Sequence, residues 1–272
     1  MTRMITIAAN TIGQLQKQLE VTSHNIANSQ THGYKSRETS FSEMLTQQVN
    51  NQPNETKEIG RNTPIGIREG TGALMVKSMM NAAQGSIQQT NRPLDFTFTQ
   101  ENQYLKVQAG NETAFTRHGA LYVSPTEDGQ AQLVTSDGFP VLDENDQPIL
   151  FAANHNQFTI SNTGVFTANG GTQSQTFNLG IVSIQKPQFL EQKGNNVLGL
   201  PNNVEVNEAM LYTELTGANR NQITIESQAL EVSNVDLSKE LSDMMNTQRA
   251  MQFQTRAISI GDQMMGLVNN LR

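Results

Sequence analysis

Any chemistry in this chain would have to come from four histidines, a short run of carboxylates and an isolated arginine, because the sequence holds no cysteine. That absence removes thiolate nucleophiles, disulfides and Cys-based zinc sites. His24, His32, His118 and His155 show no His-x-x-x-His or carboxylate spacing of the kind that gathers metal ligands, and each falls at a helix end, a turn, a hairpin or a loop. They read as surface or turn histidines. Asp137, Asp143, Glu144 and Asp146 suggest a calcium loop, but a calcium loop needs oxygen ligands at alternating positions closed by a glutamate, and Asp143-Glu144-Asn145-Asp146-Gln147 does not continue that way. A glycosidase would need two carboxylates and a sugar platform; Trp is absent and aromatics make up 6%. The glycines form hairpin turns, with no phosphate loop or dinucleotide fingerprint among them. Arg249, among Asn246, Thr247, Gln248 and Ala250, is either an ionic contact between subunits or a solvated side chain. No catalytic residue, metal ligand, cofactor or small-molecule substrate is nominated, and the chain reads as a non-enzyme.

Composition narrows the partners. The formal net charge is −7, and no basic run exists to neutralise phosphates, so nucleic acid is excluded as a partner. Charged residues are 16% of the chain, against about 25% in typical soluble domains. Asn, Gln, Thr and Ser fill the polar positions instead, giving a surface that identical copies can cover without desolvating much charge. No stretch approaches the roughly 18 apolar residues that span a bilayer, so membrane insertion is not expected. The opening MTRMITIAAN is broken by Asn10 and Gln14 and has no convincing cleavage site, so residues 1–27 are read as mature structure.

The elements that would position these residues follow from periodicity. Ile5, Ala8, Ile12, Leu15, Leu19, Thr22 and Ile26 recur in steps of three and four, the spacing of one apolar helix face. Leu237, Leu241, Met244, Gln248, Met251, Thr255, Ile258 and Met265 repeat the pattern near the other end, overlapped by a second stripe of Ala257, Ile260, Met264, Val268 and Leu271. One helix with two apolar faces suits a place between neighbours in an assembly. The first helix should stop near Ala27 or Asn28, where Ser29 to Gly33 supply turn formers. Ser233 with Asp236 offers a capping box for the last helix. Between the helices the period changes to two from Leu94 onward, with turn signals such as Gly110-Asn111, Asp137-Gly138 and Asn162-Thr163-Gly164. The expected fold is α+β: two terminal helices forming a coiled-coil-like substructure and a mainly antiparallel β domain, a sandwich or partly closed barrel. The expected division is 1–45 helix and turn, 46–92 extended arm with one hairpin, 93–212 β domain, and 213–272 connector and final helix.

The residues flanking the two stripes carry a family likeness. Val21 to Lys35, with Asn25-Ile26-Ala27-Asn28 followed by a turn and Gly33-Tyr34-Lys35, resembles the amino-terminal signature of bacterial flagellar rod and hook axial proteins. Leu230 to Leu237, containing Ser233 and Asn234, together with Gln248-Arg249-Ala250, resembles the carboxy-terminal signature. Asn91 to Phe96, Phe115 to Gly119 and Leu133 to Leu142 resemble the central domain of the distal-rod type. Two stretches depart from the pattern: Phe98 to Tyr104 replaces a Gly-rich aromatic turn, and Ala250-Met251-Gln252 replaces Ala-Tyr-Glu. The resemblance implies a rod subunit that carries torque from motor to hook, sits in the flagellar basal body, and is exported without a cleaved signal through the flagellar type III apparatus. Its partners would be copies of itself and other rod or hook subunits. Contacts between subunits would then fall on Ile5, Ala8, Ile12, Leu15, Leu19, Ile26, Leu237, Leu241, Met244, Met251, Ile258, Met264 and Leu271. Other readings are a hook or proximal-rod paralogue, a Gram-positive-type rod paralogue, and, from a different class, a β-rich surface or tail-fibre adhesin.

Overall fold

The structure, a computed structural model, describes residues 2–43, 46–49, 67–70, 73–110, 112–126, 129–170, 174–194, 196–201 and 211–270. Leu271 and the turn residues Asn111, Glu127, Asp128 and Gly171 lie outside the described residues, as does much of the expected arm. The fold is α+β, as expected, and divides into two compact units.

The first unit comprises residues 1–27, 37–79 and 236–272. Its helix α1, Thr2–Ala27, contains no proline and only one glycine, Gly13, so nothing interrupts its apolar face. Helix α2, Leu237–Asn270, runs 34 residues, about 51 Å. The two helices pack together. Two small ribbons complete the unit: Arg37–Glu43 with Ala73–Met80, and Thr46–Val49 antiparallel to Ile67–Gly70. Part of the stretch read as an extended arm is therefore paired strand. Asp236, not Ser233, caps α2: its Oδ1 accepts the backbone N–H groups of Ser238 at 2.9 Å and Lys239 at 3.2 Å. Ser233 lies three residues too early, and its Oγ accepts the Val235 N–H at 3.4 Å.

The second unit comprises residues 28–36 and 80–235. It thus includes the turn after α1 and the segment 213–235, which the sequence reading placed with the helices. The largest sheet has six antiparallel strands in the order Glu191–Gly194, Val197–Gly199, Glu112–Thr116, Gln103–Ala109, Ile181–Ile184 and Tyr212–Glu214. Two three-stranded sheets follow: Leu121–Pro125, Gln130–Thr135 and Leu150–Ala152, then Gln157–Ile160, Val165–Asn169 and Gln175–Asn178. Phe96–Phe98 pairs with Ile225–Ser227, and Ile87–Gln89 with Ala229–Glu231, so the late segment closes the unit on its earliest strands. Ile223, Ile225 and Leu230 are buried, which explains why this segment folds as strand and not as connector. Phe96, Leu105, Leu121, Leu133 and Phe166 form the centre of one continuous core. Pro140–Leu142, read as a strand, makes only isolated bridges, consistent with the missing N–H of Pro140.

Candidate functional site

Helix α2 shows two different faces. Met244, Thr247, Met251, Gln254, Ile258, Gly261 and Met265 alternate steps of three and four and are buried or half-buried. Gly261 sits so close to α1 that a Cβ added there would lie 3.1 Å from Ile5 Cγ1. On α1, Ala8, Thr22 and Asn25 are buried, and Ile5, Ile12, Leu15, Leu19 and Ile26 are half-buried. The α1 stripe, with Met244, Met251 and Ile258, is thus buried or half-buried within the helix pair of one chain. Gln248 and Thr255, placed in the first α2 stripe from sequence, are exposed; Thr247, Gln254 and Gly261 occupy the inward positions. The period was ambiguous there because apolar residues lie on both sides of α2. Leu237, Leu241, Met245, Phe253, Ile260, Met264, Leu267 and Val268 remain exposed. Arg249 is exposed too and makes no ion pair among the described residues.

Asn25 fixes how α1 meets its neighbours within the helical unit. Its amide donates to the Arg37 carbonyl at 2.9 Å and to Glu240 Oε1 at 2.9 Å, and accepts the Arg37 N–H at 3.0 Å. Only a side chain offering both donor and acceptor makes all three bonds, so Asp or Leu would leave buried partners unmet. Burial pushes the Glu240 carboxyl above its ordinary value.

The remaining motif residues meet in the β unit. Asn28 closes the turn after α1, its carbonyl accepting the Thr31 N–H at 3.1 Å. Gly33 has φ +71°, and its N–H donates to the Glu231 carbonyl at 2.8 Å. A Cβ there would lie 2.7 Å from the Arg117 backbone, so both torsion and space demand glycine. Tyr34 and Ser233 are buried. Asn234 accepts the Ser36 N–H at 2.7 Å and donates to the carbonyls of Asn81 at 3.0 Å and Ala83 at 2.9 Å, tying the two motifs together.

Beneath this junction lies a cluster that no single motif reveals. Lys35 Nζ donates to Glu231 Oε1 at 2.6 Å and to the Ala83 carbonyl at 2.7 Å. Arg117 Nε donates to Glu231 Oε2, and its terminal nitrogens donate to the carbonyls of Glu101, Gln103 and Gln100. The Gly85 N–H also donates to Glu231 Oε1 at 2.8 Å. The three charged side chains are 1–3% exposed. Two cations thus share one carboxylate, and burial, with Arg117 beside it, holds the Lys35 ammonium below its usual value. Burial pushes the neighbouring Tyr104 hydroxyl up to about 12. Lys35, Arg117 and Glu231 each stand inside a motif, but nothing in the spacing said that they meet.

Among the described residues no group of three or more His, Asp or Glu is placed to hold a metal, and no helix is long and apolar enough to cross a membrane. His32 and His118 stack with ring centroids 6.5 Å apart.

Residues 5–35 match the family described as flagella basal body rod protein, 100–168 the flagellar hook protein FlgE/F/G D1 domain, and 226–271 the flagellar basal body rod FlgEFG protein C-terminal family. The chain is 42% identical to the flagellar hook-basal body complex protein FlhP of Bacillus subtilis over 276 residues, covering 100% of both chains. It is 28% identical to the flagellar basal-body rod protein FlgG of Bacillus subtilis, covering 94% of each chain. It is 27% identical to the FlgG protein of Borreliella burgdorferi, covering 100% of this chain and 99% of the relative. With both terminal signatures, the central domain and a full-length relative in agreement, the chain belongs to the flagellar hook and rod axial protein family.

Proposed function

We propose that this chain is a structural subunit of the rod in the flagellar basal body, exported without a cleaved signal through the flagellar type III apparatus and stacked helically to carry torque toward the hook. The observation that carries the reading is the uncovered face of α2, where Phe253 is 67% and Leu267 65% exposed. Covering such side chains is worth about 1.5–3 kcal/mol each. A face that meets a different face on the next copy gives an open helical stack when its rotation does not close. Ile260 and Met264 extend this face, Arg249 supplies an uncommitted charge beside it, and Leu237 and Leu241 are exposed on other sides of the helix start. In a strain carrying only Phe253→Ser with Leu267→Ser, hook-bearing basal bodies should be lost although the protein is made. Normal swimming by that strain would sink the reading.

A second reading, a hook or proximal-rod paralogue, is favoured by the 42% full-length identity to a protein named for the hook-basal body complex, against 27–28% for two named as rod proteins. Imaging basal bodies from a strain lacking the gene separates them. An axis that keeps a proximal rod but lacks the distal rod supports the distal-rod assignment, loss of the rod from its base supports a proximal-rod paralogue, and an intact rod without a hook supports a hook paralogue.

A further inference from the structure

The six-stranded sheet of the β unit carries a cavity of about 370 Å³ whose lining includes Lys106, Glu112, Phe115, Asp146, Tyr212 and Glu214. Nothing in an axial role calls for it. A lysine whose side chain is 2% exposed on a central strand is itself unusual. Lys106 Nζ donates to Asp146 Oδ1 at 2.6 Å and to Glu214 Oε1 at 3.1 Å, and its third N–H has no acceptor among the described residues. Both carboxylates remain about half exposed. Glu112 pairs with Lys193 at the side. Tyr212, half-buried, supplies an apolar wall, backed by the buried Phe115 with ring centroids 5.1 Å apart.

We propose that this cavity binds a neutral saccharide ring, as a ligand and not as a substrate. An anion would face three carboxylates, from Glu112, Asp146 and Glu214. A cation would face the Lys106 ammonium, which already holds two of them. A hydroxyl both donates and accepts. Neighbouring hydroxyls of one sugar therefore take the free N–H of Lys106 and give their own protons to Asp146 and Glu214. The C–H face of the ring then lies against Tyr212. The volume falls within the roughly 300–1,000 Å³ of small-molecule sites. The half-exposed walls point to weak binding, on the order of 1 mM.

The proposal does not rest on the axial role, and its test leaves motility aside. The isotope-labelled full-length chain is titrated with tetramers of glucose and of N-acetylglucosamine, and separately with spermidine and inorganic phosphate. At least one saccharide should shift the backbone signals of residues 104–107 and 212–214. Glu214→Gln and Tyr212→Leu should each weaken that binding about tenfold. If Glu214→Gln lowers the melting temperature, Tyr212→Leu decides. Silence with both saccharides at about 10 mM, preference for spermidine or phosphate, or undiminished saccharide binding by a stably folded variant overturns it.

Discussion

In the β unit Leu105 and Phe96 are wholly buried, while in the helical unit Leu267 and Phe253 stand mostly in water. The contrast extends to the positions each unit does bury. The β unit covers its largest aromatics and aliphatics and even encloses a charged triad. The helical unit fully buries Ala8, Thr22, Asn25, Thr247 and Gly261, which are small or polar. A unit that fills its own interior with large side chains can hold its fold alone. The helix pair half-buries Leu15, Leu19, Met251 and Ile258 and leaves Phe253 and Leu267 in water. The lesson is that the two units differ in how much of their apolar surface folding covers, and the proposed assembly would cover the rest on α2.

Four substitutions or conditions break or sharpen that contrast. Glu231→Ala leaves Lys35 and Arg117 buried without a counter-charge, and should cost the β unit about 3–5 kcal/mol in urea unfolding. An unchanged midpoint would mean that the triad is not holding the junction. Gly33→Ala forces a left-handed backbone onto a β-carbon and drives it into the Arg117 backbone, for about 2–4 kcal/mol by the same measurement. Acid acts more gently. Burial first, and His32 second, lower the His118 value from 6.5, so the folded state binds fewer protons than the unfolded chain in the window just below 6.5. The stability contribution is therefore fully present above pH 6.5 and lost as pH falls through the lowered value. Melting curves of wild type against His118→Gln should differ in slope only in that window. Smallest of all, Phe253→Ser with Leu267→Ser should move the melting temperature of the free subunit hardly at all, within about 0.5 kcal/mol. A large drop would show that this face is already spent on folding.

Much of this was legible in the sequence where a period or a backbone demand is strong. The α1 stripe, the stop at Ala27 and the glycine turns at Gly110, Gly138 and Gly164, all with positive φ, follow from local rules. Gly119 is a different case: it was read as a turn, but it is needed because a Cβ would lie 1.8 Å from the Phe96 carbonyl oxygen. That is a close approach, visible only in three dimensions. In α2, Met244, Met251, Ile258 and Met265 face inward as the stripe implies, while the positions between them are Thr247 and Gln254 in place of Gln248 and Thr255, because apolar residues flank both sides of the seam. The cap fell to Asp236 because the backbone turns three residues later than Ser233 suggested. The strands at 87–89, 191–194 and 212–214 are short and largely polar, so alternation gives no signal. The triad stayed hidden for another reason. Charged residues inside an apolar pattern read as solvent-facing until their partner, 196 positions away, is known.

That separation also sets an order in time. Phe96–Phe98 has its antiparallel partner at Ile225–Ser227, and Lys35 and Arg117 find their carboxylate only at residue 231. Until that late segment is available, the early strands have an open edge and the two cations have no reason to leave water. Closing a loop of such length is slow and gives no reward before the ends meet. The β unit is therefore expected to complete itself in one late step: chains ending before residue 225 should stay protease-sensitive, and those reaching past 235 should turn resistant together. The junction, in this light, is a clock as much as a clasp.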